Sequence, residues 1–193
     1  MGMTGVRIWC GAGVLAVAGA VATASAQEKK VEHKYIGVEK CSICHKSEAK
    51  GNQFAQWQKS AHAKAFATLA GPKALEIAKA KGMAKPPQES PECLKCHVTG
   101  YGKPTELFDP AFKKEMGVQC ESCHGPGSEY KDMKIMKDRA ASVAAGLVIP
   151  DEATCTACHN KESPSFTGFD FKKAVALISH PNPQRTAAGG TAK

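Results

Sequence analysis

The chain has 193 residues and carries 26 basic against 18 acidic side chains, a formal net charge of +8. Only 6% of its residues are aromatic, and alanine accounts for much of the 42% apolar fraction. This length fits one domain or at most two small ones. The composition excludes a thick core made of side chains alone, so we expect something else to fill the interior.

The first 26 residues have the pattern of a secretory signal peptide. Arg7 is the only charged residue there, an apolar stretch covers residues 14–22, and Ala24-Ser25-Ala26 precedes a charged segment. This pattern predicts cleavage after Ala26. A retained anchor is less favoured, because the apolar stretch is shorter than the roughly 20 residues that a span needs. We predict an exported, periplasmic domain of residues 27–193 without a membrane span, with flexible ends at 27–38 and 183–193.

Eight of the nine cysteines occur in four C-x-x-C pairs, and a histidine directly follows every pair. Two thiols one turn apart can bond to the two vinyl groups of one porphyrin, and the adjacent imidazole can bind its iron. The pattern therefore predicts four covalently attached c-type haems. The cysteines and proximal histidines are Cys41, Cys44 and His45; Cys93, Cys96 and His97; Cys120, Cys123 and His124; and Cys155, Cys158 and His159.

Zinc and disulfides are the alternatives for these cysteines. Zinc ribbons separate their pairs by about 15 to 20 residues, fewer than lie between the first two pairs here, and zinc gives no reason for a histidine after each pair. Disulfides are common in exported chains, but haem attachment uses every mature cysteine. Neither alternative explains the pattern as well as haem does.

Four haems would form much of the apolar interior of so short a chain. Folding should then depend on haem insertion, as it depends on the metal in small metal-bound domains. The eight haem propionates would also offset most of the positive charge of the mature chain. The basic composition therefore gives no support to a nucleic-acid partner.

Short helices are predicted between the motifs. Phe54, Trp57, Phe66 and Leu69 recur at helical spacing in "NQFAQWQKSAHAKAFATLAGP" and predict one amphipathic helix. Further helical segments are "PKALEIAKAKG", a turn in "ELFDPAFKKEMG", "KDRAASVAAGLVIPDEAT" with Gly146 near its end, and "GFDFKKAVALI". No segment alternates long enough for a sheet. The predicted fold class is mainly α, with short helices and loops wrapped around haems.

Three histidines lie outside the motifs, so four irons share three further imidazoles. His62 lies beside the apolar stripe of its predicted helix; in an ordinary core it would be a surface residue, but among four haems distal ligation is favoured. His180 follows the last helix and is the second predicted distal ligand. His33 lies in a polar segment before the first motif, where a solvated position is favoured over ligation.

Together these residues resemble the tetrahaem cytochrome c554 family, whose haem arrangement recurs in hydroxylamine oxidoreductase. The resemblance covers nearly the whole mature chain and rests on "CSICHKSEA", "WQKSAHAKAF", "CLKCHVTGYG", "GVQCESCHGPG" and "CTACHN". It implies a mainly helical periplasmic electron carrier with haems in closely stacked pairs. It also implies that His62 serves the third-motif haem, that His180 serves the fourth-motif haem, and that the haem on His97 is five-coordinate.

The sequence departs from this family just after "CESCHGPG". The family has another ligand histidine there, whereas this chain reads "SEYKDMKIMKDRA". Met133, Lys134 or Met136 could replace it, His33 could reach the iron, or a second haem could be open. We favour His33 or Met133 as sixth ligand of the first-motif haem, and a methionine would raise that reduction potential.

Electron transfer between redox protein partners is the favoured function, and a non-enzymatic carrier is favoured over an enzyme. The first alternative is catalysis on a nitrogen oxide or peroxide at an open haem on His97, with Tyr101 and Lys103 nearby in sequence. The second is a conducting cytochrome polymer, in which His33 would bind the iron of a neighbouring subunit.

Overall fold

The computed structural model describes residues 1–2, 32–180 and 182–183. The predicted signal peptide, apart from its first two residues, lies outside the described residues. The same holds for residues 27–31 and 184–193 of the two ends for which the sequence predicts flexibility.

The described part of the chain is mainly α-helical, which confirms the predicted fold class. Its α-helices are α1 (Val38–His45), α2 (Gln53–Lys59), α3 (Ala65–Thr68), α4 (Pro72–Ala80), α5 (Pro91–His97), α6 (Cys120–His124), α7 (Met133–Met136), α8 (Arg139–Ala144), α9 (Glu152–Thr156) and α10 (Phe171–Ile178). An isolated parallel bridge between Tyr35 and Phe108 lies outside any strand. No helix in the described residues combines the length and the apolar character that crossing a membrane requires.

Local sequence explains where several helices begin and end. Pro72 occupies the first turn of α4, where its missing N–H would have no helical partner. Asp138, Asp151 and Asp170 cap α8, α9 and α10 by accepting backbone N–H bonds at their first turns. Gly146 follows α8 with φ +95°, a conformation that favours glycine. The helices predicted in "PKALEIAKAKG", "KDRAASVAAGLVIPDEAT" and "GFDFKKAVALI" are therefore confirmed as α4, α8 and α10.

One predicted helix is interrupted. In "NQFAQWQKSAHAKAFATLAGP" the structure ends α2 at Lys59, forms a 3-10 turn at His62–Lys64 and begins α3 at Ala65. Ser60 is extended, and its hydroxyl donates to the Trp57 carbonyl oxygen at 2.6 Å. Such local hydroxyl bonds compete with helix hydrogen bonds. The prediction of one continuous helix was wrong. It relied on the apolar spacing, and that spacing continues through the break.

Residues 35–38 are held by distant parts of the chain, although the sequence predicts flexibility for 27–38. The Tyr35 N–H donates to the Leu107 carbonyl oxygen at 2.8 Å, and the Asp109 N–H donates to the Tyr35 carbonyl oxygen at 2.8 Å. Ile36 and Val38 are 3% and 1% exposed. This segment therefore belongs to the core.

The buried apolar core is small, as the composition predicts. Leu69, Leu94 and Val98 form its central cluster, and Phe66 and Cys93 pack against them. This cluster joins α3 to α5, which carries the second C-x-x-C-H motif. Polar contacts must therefore orient much of the remaining structure.

Residues 117–121, which we call the central strip, provide many of those polar contacts. The Val118 N–H donates to the His62 carbonyl oxygen at 3.0 Å, and the indole N–H of Trp57 donates to the Val118 carbonyl oxygen at 2.8 Å. The Thr99 N–H donates to the Gly117 carbonyl oxygen at 3.1 Å. The strip thus ties the His62 turn and the exit of the second motif to the start of the third.

Gly117→Ala should lower the stability of the folded holo-protein by about 1–3 kcal/mol or more. Gly117 has φ +73°, and a Cβ there would lie 2.7 Å from the His62 carbonyl oxygen. The matched control is Gly102→Ala, because Gly102 has φ +79° and nothing within 4 Å of an added Cβ. Denaturant midpoints should fall more for Gly117→Ala; equal midpoints would contradict the importance of this close contact.

Candidate functional site

The four C-x-x-C-H motifs lie on short helices. In α1, α5 and α6 the motif histidine is the last helical residue. In the fourth motif α9 contains Cys155, and the His159 N–H still donates to the Cys155 carbonyl oxygen at 2.9 Å. Helical geometry therefore sets the two thiols of each motif about one turn apart, with the imidazole beside them.

Thiols from different motifs lie side by side. A hydrogen bond with Cys120, together with burial, raises the pKa of Cys41, and the same bond lowers the pKa of Cys120. Burial and the neighbouring Cys96 thiol raise the pKa of Cys158 to about 11. The first motif therefore lies against the third, and the second lies against the fourth.

Three motif histidines are oriented through Nδ1. The Nδ1–H group of His97 donates to the Ala65 carbonyl oxygen at 2.6 Å. His45 and His124 make the same kind of bond, at 3.2 Å, to Gln53 Oε1 and to the Val148 carbonyl oxygen. A protonated Nδ1 leaves the Nε2 lone pair available, the arrangement typical of metal-binding histidines.

Two motif histidines, His159 and His124, each face one of the histidines outside the motifs. The ring centres of His62 and His159 are 6.0 Å apart, and those of His124 and His180 are 5.9 Å apart. Metal–nitrogen bonds of about 2 Å place two imidazoles on opposite sides of one metal at about this ring separation. Each pair therefore has the spacing to hold one iron.

The order of these pairs differs from the one that the family resemblance implies. His62 lies against the histidine of the fourth motif, and His180 against that of the third. The break at Ser60 places His62 on its own 3-10 turn, held by the central strip. A continuous helix, as the sequence predicts, would direct this side chain differently.

Burial keeps two of these imidazoles in the neutral form that binds metals. It lowers the pKa of His62, and the neighbouring His159 lowers it further. Burial also lowers the pKa of His124, with His180 and His45 adding to that effect and the bond to Val148 opposing it. A neutral imidazole retains a lone pair for a metal at physiological pH.

His33, Met133 and Tyr101 are not members of these ring pairs. His33 is half-buried, and its Nδ1 is buried without a hydrogen-bond partner in the described residues. This position differs from the solvated one that the sequence favours. Met133, on α7, is 60% exposed, and Tyr101 is 40% exposed.

The surroundings of the motifs fit a covalently attached porphyrin. All eight motif cysteines are free thiols and can form thioethers. Ile43, between the two cysteines of the first motif, is 69% exposed, and Leu177, on the helix that leads to His180, is 87% exposed. Large apolar side chains beside thiols and imidazoles are the surface that a porphyrin would cover.

Sequence reasoning missed the polar side chains that join the first motif to the third. Glu121 lies inside "CESCH" yet is 2% exposed, and its carboxylate accepts N–H bonds from Ile36, Gly37 and Gly127 at 2.7–2.8 Å. Burial raises the pKa of Glu121, and the three N–H donors oppose that rise. Gln119 Oε1 accepts the Val38 N–H at 2.7 Å. No local pattern marks either residue, because the N–H groups of residues 36–38 that they accept from lie more than 80 positions away.

Comparison with known proteins gives two matches. The family described as "Cytochrome c554 and c-prime" matches residues 40–125. Cytochrome c-554 of Nitrosomonas europaea is 31% identical over 195 residues, an alignment that covers 93% of this chain and 77% of the relative. No solved structure matches the chain.

The observed histidine pairs predict the result of combining two deletions. His62→Ala should convert one low-spin haem to high-spin, because it removes the imidazole that faces His159. In a variant that lacks the fourth haem (Cys155→Ala with Cys158→Ala), His62→Ala should cause no further loss. His180→Ala in the same background is the matched control and should remove one more low-spin signal. Electron paramagnetic resonance of the oxidised proteins counts these signals; the reverse result would restore the order implied by the resemblance.

Proposed function

This chain belongs to the cytochrome c554 family, and on that basis we propose that it carries electrons between redox proteins of the periplasm through four covalently attached haems. Membership makes it a c-type cytochrome and an electron carrier. The haem number, the compartment and the ligands are our proposal. The number is supported by the four C-x-x-C-H motifs, and export by the signal-peptide pattern of residues 1–26.

Each motif supplies the groups that a c-type haem requires. Bound haem supplies a one-electron Fe(III)/Fe(II) couple. The eight cysteines would hold it through thioethers, and His45, His97, His124 and His159 would be the proximal ligands. His62 and His180 would be the distal ligands that face His159 and His124.

The observation that supports the proposal is that the motifs lie near one another in series. Cys41 of the first motif lies against Cys120 of the third, and Cys96 of the second lies against Cys158 of the fourth. The Cys155 thiol of the fourth motif is close enough to Cys123 of the third to raise its pKa, after burial. The four attachment points therefore form one series, in the order first, third, fourth and second. Such a series suits conduction through the protein more than a single substrate pocket.

The purified holo-protein should contain four haems and take up four electrons per chain. Mass spectrometry and a pyridine haemochrome assay count the haems, and a coulometric titration counts the electrons. A Cys93→Ala, Cys96→Ala variant is the matched control and should lose one haem and one electron. Fewer than four haems in the unmodified protein would contradict the proposal.

A second candidate function is catalysis at the haem on His97. No ring contact in the described residues places another histidine opposite His97, whereas its Nδ1 is fixed by Ala65. A proximal ligand without a distal imidazole leaves a coordination position for a small molecule such as nitric oxide. The carrier is favoured, because an open position alone supplies no acid–base group.

Carbon monoxide should bind the ferrous haem on His97, because no histidine ring faces this motif histidine in the described residues. Optical titration measures the stoichiometry, and the Cys93→Ala, Cys96→Ala variant should bind one carbon monoxide fewer per chain than the unmodified protein. Nitric oxide, hydroxylamine, nitrite and peroxide should not be consumed by the reduced protein faster than by free haem. Turnover that disappears in the same cysteine variant would establish the catalytic function instead.

A further inference from the structure

His33 is the one histidine outside the motifs whose ring does not face a motif histidine in the described residues. The chain has 7 histidines, of which four follow the C-x-x-C pairs. His62 and His180 each face a motif histidine. His33 therefore remains as a free imidazole, while His45 and His97 are the motif histidines without a facing ring in the described residues.

The backbone holds His33 in a defined place. The Lys34 N–H donates to Ser128 Oγ at 2.8 Å, and the Ser128 N–H donates to the Lys34 carbonyl oxygen at 3.1 Å. One residue further on, Tyr35 pairs with residues 107 and 109. Bonds to two distant segments directly after His33 fix its side chain next to the third motif.

The ring of His33 is packed in a way that leaves one nitrogen without a partner. Its Nδ1 is buried and has no hydrogen bond in the described residues. The ring edge lies so close to Gly146 that a Cβ there would be 2.8 Å from Nδ1. A buried polar atom without a partner destabilises the fold. With the Nδ1 edge packed on Gly146, Nε2 is the nitrogen of this ring that is left to bind an iron.

The position of His33 favours binding to the iron of the first motif. The segment that carries His33 continues directly into α1, which ends at His45. Glu121 and Gln119 bind the N–H groups at the start of α1 and so hold this segment against the third motif. His97, in contrast, is bonded to Ala65, and its motif lies against the fourth.

We infer that His33 is the sixth ligand of the iron whose proximal ligand is His45. Three irons then have two imidazoles each, and the iron on His97 has one. The inference rests on the proposed four-haem function, so the haem count is measured first in every sample. Met133 is the competing ligand, and its side chain is 60% exposed on α7.

The unmodified holo-protein provides the first test, which does not depend on a variant that folds. Near-infrared magnetic circular dichroism of the oxidised protein separates His/His from His/Met ligation. With only three histidines outside the motifs, three His/His haems in a monomer require His33 as a ligand. Two His/His haems with a His/Met haem, or with two high-spin haems, would overturn the inference.

Two variants provide the second test. His33→Gly should keep four covalent haems, lose one of three low-spin signals, and regain it when imidazole is added. Met133→Leu is the matched control and should keep all three signals. An unchanged low-spin count in His33→Gly, or a lost signal in Met133→Leu, would overturn the inference. A count below four haems in the unmodified protein would instead refute the proposed function.

Dilution separates ligation within one chain from ligation between chains. Sedimentation identifies the concentration at which the protein is a monomer, and electron paramagnetic resonance counts the low-spin haems there. This count should be the same as at high concentration. If the third His/His signal disappears on dilution, His33 binds the iron of a second copy, and the intramolecular assignment is wrong.

Discussion

The structure depends on the hydrogen bonds that Gln119 and Glu121 make to the start of α1. Three successive N–H groups, those of Ile36, Gly37 and Val38, donate to these two side chains at 2.7–2.8 Å. Groups at a helix start have no partner within the helix, and buried ones destabilise the fold unless they are satisfied. Side chains in and just before the third motif therefore provide hydrogen-bond partners for the N–H groups at the start of the helix that carries the first motif. The thiols of the two motifs are adjacent at Cys41 and Cys120.

The central strip extends this constraint to the rest of the site. Its backbone binds Trp57, the His62 carbonyl group and Thr99, and so reaches both the His62 turn and the exit of the second motif. The apolar cluster of Leu69, Leu94 and Val98 is too small to orient four motifs. Directional hydrogen bonds at the strip replace the packing that a larger core would provide. The protein thus positions its motifs by polar contacts, while apolar side chains such as Leu177 remain exposed where a cofactor could cover them.

The sequence predicted the features that depend on local chemistry. It predicted the four motifs, helices α4 and α10, the turn at Gly146 and the family, because each has a local pattern. It did not predict the break at Ser60, since the apolar spacing continues across it, and the histidine pairs differ from those that the family resemblance implied. Glu121 was missed for another reason: inside "CESCH" it resembles an ordinary helix-surface residue, and two of its three partners, Ile36 and Gly37, are distant in sequence.

The motif histidines connect this architecture to the proposed electron transfer. A carrier works best when the metal ligands move little between the two oxidation states, and rigid support of the ligands provides this. His45, His97 and His124 each donate Nδ1–H to an oxygen on a different segment, namely Gln53, Ala65 and Val148. His159 instead stacks on Phe169, with ring centres 5.0 Å apart. Each imidazole is therefore held by a part of the chain outside its own motif, so the ligand positions depend on the whole fold rather than on the short C-x-x-C-H helices alone.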